Sequence, residues 1–448
     1  MNSGRLLVIT YHFGPEGAVG GLRWAGITKY LARMGWQVAV LTGATRGGNG
    51  ARVGDAVVEY CPRLWTAFDG VQLLRRLVSE GAQRNGSSGG APAARRPGVL
   101  RRLRGEVTSL LAFPDEGRGW VCRAALRARS VIRRFRPHVV VSSGPPHSAH
   151  LVAGLAVGGS GARWLVDLRD PWAGPLPQTW QSDSRAGTRV FRTLSPYLEG
   201  LVFRSAHGLV TSTHELGRAL AARYSAVPVT HIPNGVDRES LPPATRLQPY
   251  PGLGVVHAGT LYIGRDLGPV VQALRIFLER HPEAAEAGSK LRVAGKAEPG
   301  YAEAFQRVVA AARMERHVDV LGRLPRVRAL EVISRSRLAV VLAQEQELQI
   351  PAKLYECVAL GIPTLVVAPP DSAAGVEGER VGAMVRDAAD VEGIAGLLEQ
   401  FWRDGAPGRS PCPVPITYDA IAPLVDGLFR GFLTPSSPGS PMEVTASS

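Results

Sequence analysis

The chain has 448 residues, of which 45% are hydrophobic and 20% are charged. This length predicts two domains, and this composition excludes disordered and fibrous proteins. Lys and Arg outnumber Asp and Glu by 52 to 38, which favours phosphorylated substrates, anionic membranes or polyanions without choosing among them. A biased genome that enriches arginine is the alternative explanation of the same excess.

Cysteine usage and hydropathy narrow the class further. The four cysteines are widely spaced and form no Cys-x-x-Cys pair, so neither a disulfide framework nor a structural zinc site is expected. The sequence enters a strand-like run at once, with no secretory signal and no apolar stretch that could span a bilayer. We therefore predict a cytoplasmic protein, soluble or peripheral on the inner face of the membrane.

Short runs rich in Val, Ile and Leu alternate with helix-length segments along the chain. Such runs are typical of parallel strands covered on both faces, and two series of them predict two doubly wound α/β domains. The predicted strands are 6–11, 38–42, 57–61, 138–143, 164–168, 209–212 and 230–233 in the first series, and 254–258, 291–295, 318–322, 338–343, 364–368 and 383–386 in the second.

Composition also predicts the domain limits. The domains are expected at 1–240 and 250–415, and a last helix is expected at 416–432. The Ser/Pro-rich residues 433–448 predict a disordered tail. A basic amphipathic insertion at about 64–112 contains a Gly-rich loop at 81–98. Two interpretations of it stay open, namely contact with an anionic membrane and a solvated surface.

Glycines follow the first predicted strand. His12 ends that strand, and Gly20, Gly21 and Arg23 come directly before the hydrophobic face of a predicted helix. Glycines at this point let the backbone approach a phosphate or a sugar. The spacing is not Gly-x-Gly-x-x-Gly and no acidic residue ends the second strand, so NAD binding is disfavoured. A turn that needs glycine for geometry alone is the alternative.

Polar residues follow two later strands of the same series. His147 stands in the loop after 138–143, where an imidazole can contact substrate hydroxyls or a leaving phosphate, while His150 is expected to pack inside. Asp167, Arg169 and Asp170 come at the end of 164–168. One of the carboxylates is expected to orient sugar or acceptor hydroxyls. A purely structural pairing of Arg169 with either acid is the alternative.

Several motifs, taken in order, resemble the family-four retaining glycosyltransferases. They read Gly-Gly-Leu-Arg-Trp, Ser-Gly-Pro-Pro-His-Ser, Asp-x-Arg-Asp-Pro-Trp and Ile-Pro-Asn-Gly-Val-Asp, and the resemblance spans roughly residues 6–432. It implies the GT-B architecture, in which two Rossmann-like doubly wound parallel-sheet domains face each other across a cleft. The first would bind the acceptor and the second a nucleotide-diphosphate sugar. The helix at 416–432 would cross back to the first domain, as in similar proteins.

The resemblance also implies a donor site in the second domain. Arg265 stands where the family usually carries a lysine that holds the diphosphate, and Glu356 stands where a glutamate holds the ribose. Thr260 replaces a usual arginine, and Leu348 replaces a usual first glutamate. Arg23 of the first domain is a candidate for the missing cation. In a subgroup with this pattern, backbone amides near 351–353 would meet the diphosphate.

These arguments assign roles to sixteen residues. The predicted catalytic residues are His147, Arg265 and Asp170; the donor-binding residues are Gly20, Gly21, Arg23, Gly259, Thr260, Lys296, Arg323, Pro351, Lys353 and Glu356; and the acceptor-side residues are Asp167, Arg169 and His12.

The resulting prediction is a metal-independent transferase that retains anomeric configuration and needs no cofactor. Its partners would be a nucleotide-sugar donor, a sugar, lipid-linked or small-molecule acceptor, and an anionic membrane surface. One alternative is a nucleotide-sugar 2-epimerase of the same architecture. Others are an inactive relative and a non-catalytic basic protein that binds membranes or nucleic acid. Nucleic acid is disfavoured because no aromatic residues are interleaved with the arginines at binding spacing.

Overall fold

The computed structural model describes residues 3–14, 19–43, 51–53, 56–71, 73, 99–174, 188–242, 247–262, 264–298, 300–404 and 412–433. The loop predicted at 81–98, much of the predicted insertion and the tail after residue 433 lie outside these ranges. The chain forms two compact units. Unit 1 comprises Met1–Thr211, Leu220–Thr230 and Asp426–Ser448, and unit 2 comprises Ser212–Ala219 and His231–Val425.

The first sheet has eight strands in the first half of the chain. They are β1 (Arg5–Thr10), β2 (Gln37–Thr42), β3 (Ala51–Val53), β4 (Ala56–Tyr60), β5 (Val139–Gly144), β6 (Arg163–Leu168), β7 (Gly208–Thr211) and β8 (Val229–His231). Their order is β3-β4-β2-β1-β5-β6-β7-β8. The neighbours from β4 to β7 pair in parallel, whereas β3 pairs antiparallel with β4.

The second sheet has six strands, all of them parallel. They are β9 (Gly254–Ala258), β10 (Lys290–Ala294), β11 (Val318–Gly322), β12 (Leu338–Leu342), β13 (Thr364–Val367) and β14 (Met384–Arg386). Their order is β11-β10-β9-β12-β13-β14.

Helices separate the strands in both sheets. They are α1 (Leu22–Arg33), α2 (Val99–Ala112), α3 (Val121–Phe135), α4 (Ser148–Val157), α5 (Arg189–Ser205), α6 (His214–Arg223), α7 (Gly268–Arg280), α8 (Pro282–Glu286), α9 (Tyr301–Ala311), α10 (Arg326–Arg335), α11 (Lys353–Ala359), α12 (Ala373–Arg380), α13 (Val391–Arg403) and α14 (Tyr418–Gly431). In the described part of the chain, no helix combines the length and the apolar character that crossing a membrane requires.

The strand cores explain why these segments form parallel sheets. In unit 2, Val255 and Val340 belong to one buried hydrophobic cluster, while their neighbours Val256 and Val341 belong to another. Successive side chains of a strand point to opposite faces, so both faces of this sheet are covered. Each of the thirteen predicted strands is present. The short antiparallel β3 was not predicted, because three residues carry too little pattern.

The order of the strands fixes where each unit can hold a ligand. In unit 2 the order reverses between β9 and β12, and in unit 1 it reverses between β1 and β5. At such a reversal the loops leave the sheet in opposite directions, which opens a crevice outside the carboxyl ends of the two central strands. Each unit therefore has one topological switch point.

Candidate functional site

The predicted residues of unit 1 meet at the carboxyl ends of β1, β5 and β6, which are adjacent strands. His12 follows β1, Gly20 and Gly21 form a short 3-10 turn before α1, and His147 follows β5. Arg169 and Asp170 follow β6 and are half-buried. The sheet therefore brings the predicted catalytic and acceptor-side residues of this unit to its switch point.

Asp167 is the buried centre of this edge. Its Oδ1 accepts hydrogen bonds from Arg23 Nε (3.2 Å) and Nη2 (3.1 Å), and its Oδ2 accepts them from Trp24 Nε1 (2.8 Å) and Ser143 Oγ (2.7 Å). The Arg23 and Asp167 side chains are 2% and 0% exposed. Two acceptor bonds on each oxygen fill the capacity of a carboxylate.

This burial differs from the sequence interpretation, which placed Asp167 at the end of the predicted strand 164–168 and gave it and Arg23 ligand contacts. Asp167 lies inside β6, and it faces the interior because Arg23 offers a buried charge partner. The geometry favours a supporting role for both residues, in which the pair fixes the start of α1 against β5 and β6.

Arg169 connects the two loops beside this pair. Its Nε donates to Gly144 O (3.2 Å), and its Nη2 donates to Pro145 O. A side chain at Gly20 would overlap the Arg169 guanidinium, so the arginine would have to shift if this residue were not glycine. The glycine turn, the loop after β5 and the loop after β6 thus touch one another through Arg169.

His147 lies at the N-terminus of α4 and stacks on Trp172, with ring centroids 5.1 Å apart and planes inclined by 6°. Burial, followed by the nearby His150 and Arg169, lowers its pKa well below the usual value. A neutral imidazole can exchange hydrogen bonds with a sugar or phosphate but carries no charge. His150 is fully buried as predicted, and its Nδ1 lies 2.9 Å from Ser142 Oγ.

Two acidic residues at this edge were missed by the sequence interpretation. Glu116 Oε1 lies 3.0 Å from His12 Nε2, and this contact lowers the pKa of Glu116. Asp115 accepts hydrogen bonds from the N–H and hydroxyl of Ser148 at the start of α4, while burial raises its pKa. The run Pro-Asp-Glu-Gly between two helical segments is the sequence signal that could have indicated them.

In unit 2, Gly259 follows β9 at the switch point, and Arg265 lies in the same loop. Arg265 Nη2 donates to Gln346 Oε1 (3.1 Å), and its guanidinium lies 4.8 Å from the centre of the Tyr262 ring. Gln346 comes from the loop after β12 and also donates to the Tyr262 hydroxyl. Arg265 is therefore oriented by both strands of the switch point. The sequence interpretation did not include Gln346.

Glycine is required where the loops after β9 and β10 touch. A Cβ on Gly295 would overlap the carbonyl oxygen of Gly259, and the Gly259 N–H donates to Ala294 O (3.0 Å). Three predicted donor-binding side chains stand exposed around this contact, namely Thr260, Lys296 and Arg323. They lie at the carboxyl ends of β9, β10 and β11.

Glu356 is buried on α11 and is held by two cations. Its Oε1 accepts from Arg326 Nε (2.8 Å), and its Oε2 accepts from Lys353 Nζ. Arg326 also donates to Ser240 O (3.1 Å). Helix α11 begins at Lys353, so Pro351 precedes its N-cap, Ala352. Lys353 and Glu356 are thus paired one turn apart at the start of α11, and Arg326 is a partner that the sequence did not indicate.

His257 lies on β9 beneath the Gly259 turn. Its Nδ1 lies 3.0 Å from Val340 O, and a Cβ on Gly259 would lie 3.1 Å from its Nε2. Since the carbonyl can only accept, the bonded Nδ1 carries the proton. Burial lowers the pKa of His257 to about 4. It supports the turn as a neutral ring.

Known structures share this fold at low sequence identity. Sucrose-phosphate synthase from Thermosynechococcus elongatus is 14% identical, with a TM-score of 0.61 over 96% of this chain and 99% of that chain. The catalytic domain of starch synthase IV from Arabidopsis thaliana, bound to ADP and acarbose, is 12% identical, with a TM-score of 0.60 over 96% and 100%. Anabaena HepE, in complex with UDP and glucose, is 12% identical, with a TM-score of 0.56 over 96% and 100%.

These similarities confirm the predicted GT-B fold. A search of curated proteins gave no match. The family model for Glycosyltransferase Family 4 matches residues 22–240, which include α1, the loops after β5 and β6, and the sheet of unit 1. Residues 22–240 are therefore similar to Glycosyltransferase Family 4, and the chain as a whole has the GT-B fold.

Proposed function

We propose that this protein transfers a sugar from a nucleotide-diphosphate donor to a hydroxyl group of a sugar, lipid-linked or small-molecule acceptor. The donor would bind at the switch point of unit 2, and the acceptor at that of unit 1. The observation that carries the proposal is Arg265, which Gln346 and Tyr262 orient beside a glycine turn at the switch point. A fixed guanidinium suits the two adjacent charges of a diphosphate.

Other residues of unit 2 would complete donor binding. The exposed Lys296 and Arg323 would add positive charge, and Thr260 would donate a hydroxyl hydrogen bond in place of a cation. Glu356 would accept hydrogen bonds from the ribose. For this, Lys353 would leave Glu356 Oε2 and turn to the diphosphate, while Arg326 would keep the carboxylate in place.

In the proposed reaction, the bond between the anomeric carbon and the diphosphate oxygen breaks as the acceptor oxygen bonds to that carbon. The acceptor proton passes to the leaving phosphate on the same face, so the configuration is retained. Arg265 and Lys353 would stabilise the negative charge that develops on the diphosphate. Asp170 would orient the acceptor hydroxyl, and neutral His147 would hydrogen-bond to the sugar. The step as proposed uses no metal ion.

Donor binding can be tested by thermal unfolding against a panel of nucleoside diphosphates, because a ligand that binds only the folded state raises the midpoint. We expect one diphosphate to stabilise the protein. Arg265→Ala should weaken its affinity about tenfold or more, since a charge-assisted hydrogen bond contributes roughly 1.5–3 kcal/mol. Arg275→Ala removes an exposed arginine of α7 that pairs with Glu279 and should leave affinity unchanged. Equal affinity in both variants would contradict the proposal.

Product analysis tests the reaction itself. With donor and acceptor present, we expect NMR to show the donor's anomeric configuration in the product, and full activity after chelation of divalent metals. An inverted product would refute the same-face mechanism. Turnover of the donor sugar without any acceptor would favour the epimerase alternative, for which a Listeria monocytogenes structure described as a 2-epimerase offers a fold likeness at 12% identity and TM-score 0.52.

A further inference from the structure

A basic groove of about 1250 Å³ lies in unit 1, at the edge of the sheet opposite the candidate site. Arg5 begins β1, His138 precedes β5 and Arg163 begins β6, so the groove opens at the amino ends of these strands. Its other basic residues come from the second half of α3 and the residue after it; they are Arg129, Arg133 and Arg136. This groove is therefore separate from the carboxyl edge, where His12 and His147 lie.

The positive charge of the groove is not neutralised within the described chain. None of its five arginines forms an ion pair with a described carboxylate, and the side chains of Arg133, Arg136 and Arg163 have no described partner. Two arginines on the same helix provide the contrast, because Arg127 and Arg134 both pair with Glu59 at 2.5 and 2.8 Å. On α3, Arg127 and Arg134 are thus neutralised by Glu59, whereas the groove residues Arg129 and Arg133 have no described carboxylate partner.

The groove walls hold part of this charge in place. Arg5 Nε donates to Arg136 O (2.7 Å), and Arg5 Nη2 lies 3.1 Å from His138 Nε2. Arg129 Nε donates to Leu155 O (2.9 Å). Burial and then Arg5 lower the pKa of His138, as burial and then Arg163 lower that of the neighbouring His207. Fixed cations around a concavity concentrate the field and select anions.

Phosphate is the anion that best matches this set of donors. Each guanidinium presents a planar fork of N–H groups that fits two phosphate oxygens, and several arginines around one concavity favour a ligand with more than one phosphate. A glycine turn forms the wall beside Arg163, with φ of +72° at both Gly159 and Gly161. A Cβ at either glycine would meet open space, so no side chain closes that wall.

We propose that this groove is a second binding site, for a ligand that carries two or more phosphate groups. The ligand can be a soluble oligophosphate or the headgroups of anionic lipids, since the chemistry of recognition is the same. Leu126 is 66% exposed at the rim, and Phe432 and Leu433 line the groove beside the arginines. This apolar rim would contact acyl chains if the phosphates belong to lipids.

The test uses the full chain with sodium tripolyphosphate in calorimetry, and with vesicles of phosphatidylcholine alone or mixed with phosphatidylglycerol. Arg133→Gln/Arg163→Gln should weaken binding of the effective probe at least about tenfold. The matched control is Arg134→Gln/Arg275→Gln, which removes the same charge from exposed, ion-paired positions and should bind like wild type. Arg133→Lys/Arg163→Lys keeps the charge and should retain part of the binding.

The outcomes separate the two sources. Binding of tripolyphosphate without vesicle binding assigns the groove to a soluble ligand, and binding of only the anionic vesicles assigns it to lipid headgroups. Thermal midpoints of all variants check folding. The proposal is overturned if wild type binds neither probe, or if the groove and control variants bind equally. A lower midpoint of the groove variant with unchanged binding would show that these arginines only stabilise the C-terminus of α3.

Discussion

At Glu356, one buried carboxylate meets two cations, and the surroundings of the group determine what it can do. Arg326 reaches it from α10 and is anchored at Ser240, whereas Lys353 reaches it from one turn earlier on the same helix. The lysine side chain is 23% exposed, and its one described hydrogen bond goes to Glu356. Among the described contacts, the carboxylate therefore has one partner that is anchored at a second residue and one that is not.

We predict that Glu356→Gln lowers both stability and diphosphate affinity. The amide removes the charge that Arg326 and Lys353 share, which costs about 1–3 kcal/mol for partly exposed partners of a buried group. Glu331→Gln is the control, because its pair with Arg328 is exposed and should change stability by less than about 1 kcal/mol. Thermal midpoints and calorimetry measure both effects. A Glu356→Gln variant as stable as Glu331→Gln would contradict the pairing.

A second residue-scale prediction concerns Gly144, at the end of β5. A Cβ there would lie 2.6 Å from His150 Nε2 and 3.0 Å from His147 Nδ1. Because His150 is fully buried, Gly144→Ala should cost about 1–3 kcal/mol through overpacking. Gly396→Ala, in the middle of α13 with nothing near its Cβ, should instead be neutral or stabilising by up to about 1 kcal/mol. Chemical unfolding compares them, and equal changes would count against the packing argument.

The sequence did not predict which residues form hydrogen bonds and ion pairs with the predicted site residues. Arg265 was expected because the family resemblance implies a diphosphate-binding cation at this position, but Gln346 is 81 residues away and carries no pattern that marks it. Arg326 is 30 residues from Glu356, and Glu116 is 104 residues from His12. Local pattern predicts which backbone turn carries a side chain, whereas partnership depends on how separate loops pack at a sheet edge.

At the scale of elements, Asp167 joins α1, β5 and β6 through one carboxylate. The sequence interpretation gave Asp167 an acceptor-side role because it stands with Arg169 and Asp170 at the end of a predicted strand. In the structure Asp167 belongs to β6. Its side chain is buried, and it pairs there with the buried Arg23. The strands themselves were predictable because their apolar runs are continuous.

Asp167→Asn should destabilise unit 1 by about 3–5 kcal/mol. The change leaves the Arg23 charge buried without a counter-charge, and an uncompensated buried charge is strongly destabilising. Asp319→Asn is the matched control in unit 2, where the pair with Lys290 is about one-third exposed and should contribute about 1 kcal/mol or less. Urea unfolding followed by tryptophan fluorescence reports the change, since Trp24 bonds to Asp167 directly. A loss as small as that of Asp319→Asn would disprove the buried-pair assignment.

At the scale of the whole molecule, both units place their chemistry by the same rule. Each sheet reverses its strand order once, and each set of predicted residues lies at the carboxyl ends beside that reversal. Each unit also buries a neutral histidine close to its switch point, His150 beneath the loop after β5 and His257 beneath the turn after β9. These two rings connect the stability of each unit to pH.

Burial lowers the pKa of His150 to about 3 and that of His257 to about 4, from an ordinary value near 6.5. Between these values the unfolded chain binds protons that the folded protein does not. The free energy of unfolding should therefore fall as pH drops through 6.5, by about 1.4 kcal/mol per pH unit for each ring, and the loss is complete only near the folded pKa. Thermal unfolding at pH 8, 7, 6 and 5 measures this loss of stability.

His150→Gln should reduce the dependence of the stability of unit 1 on pH between pH 6 and 5, and His257→Gln should do the same for unit 2. If the two units unfold separately, each variant should alter the unfolding transition of one unit alone.

A pH dependence of the unfolding free energy identical to that of wild type in both variants would show that other groups produce the acid sensitivity.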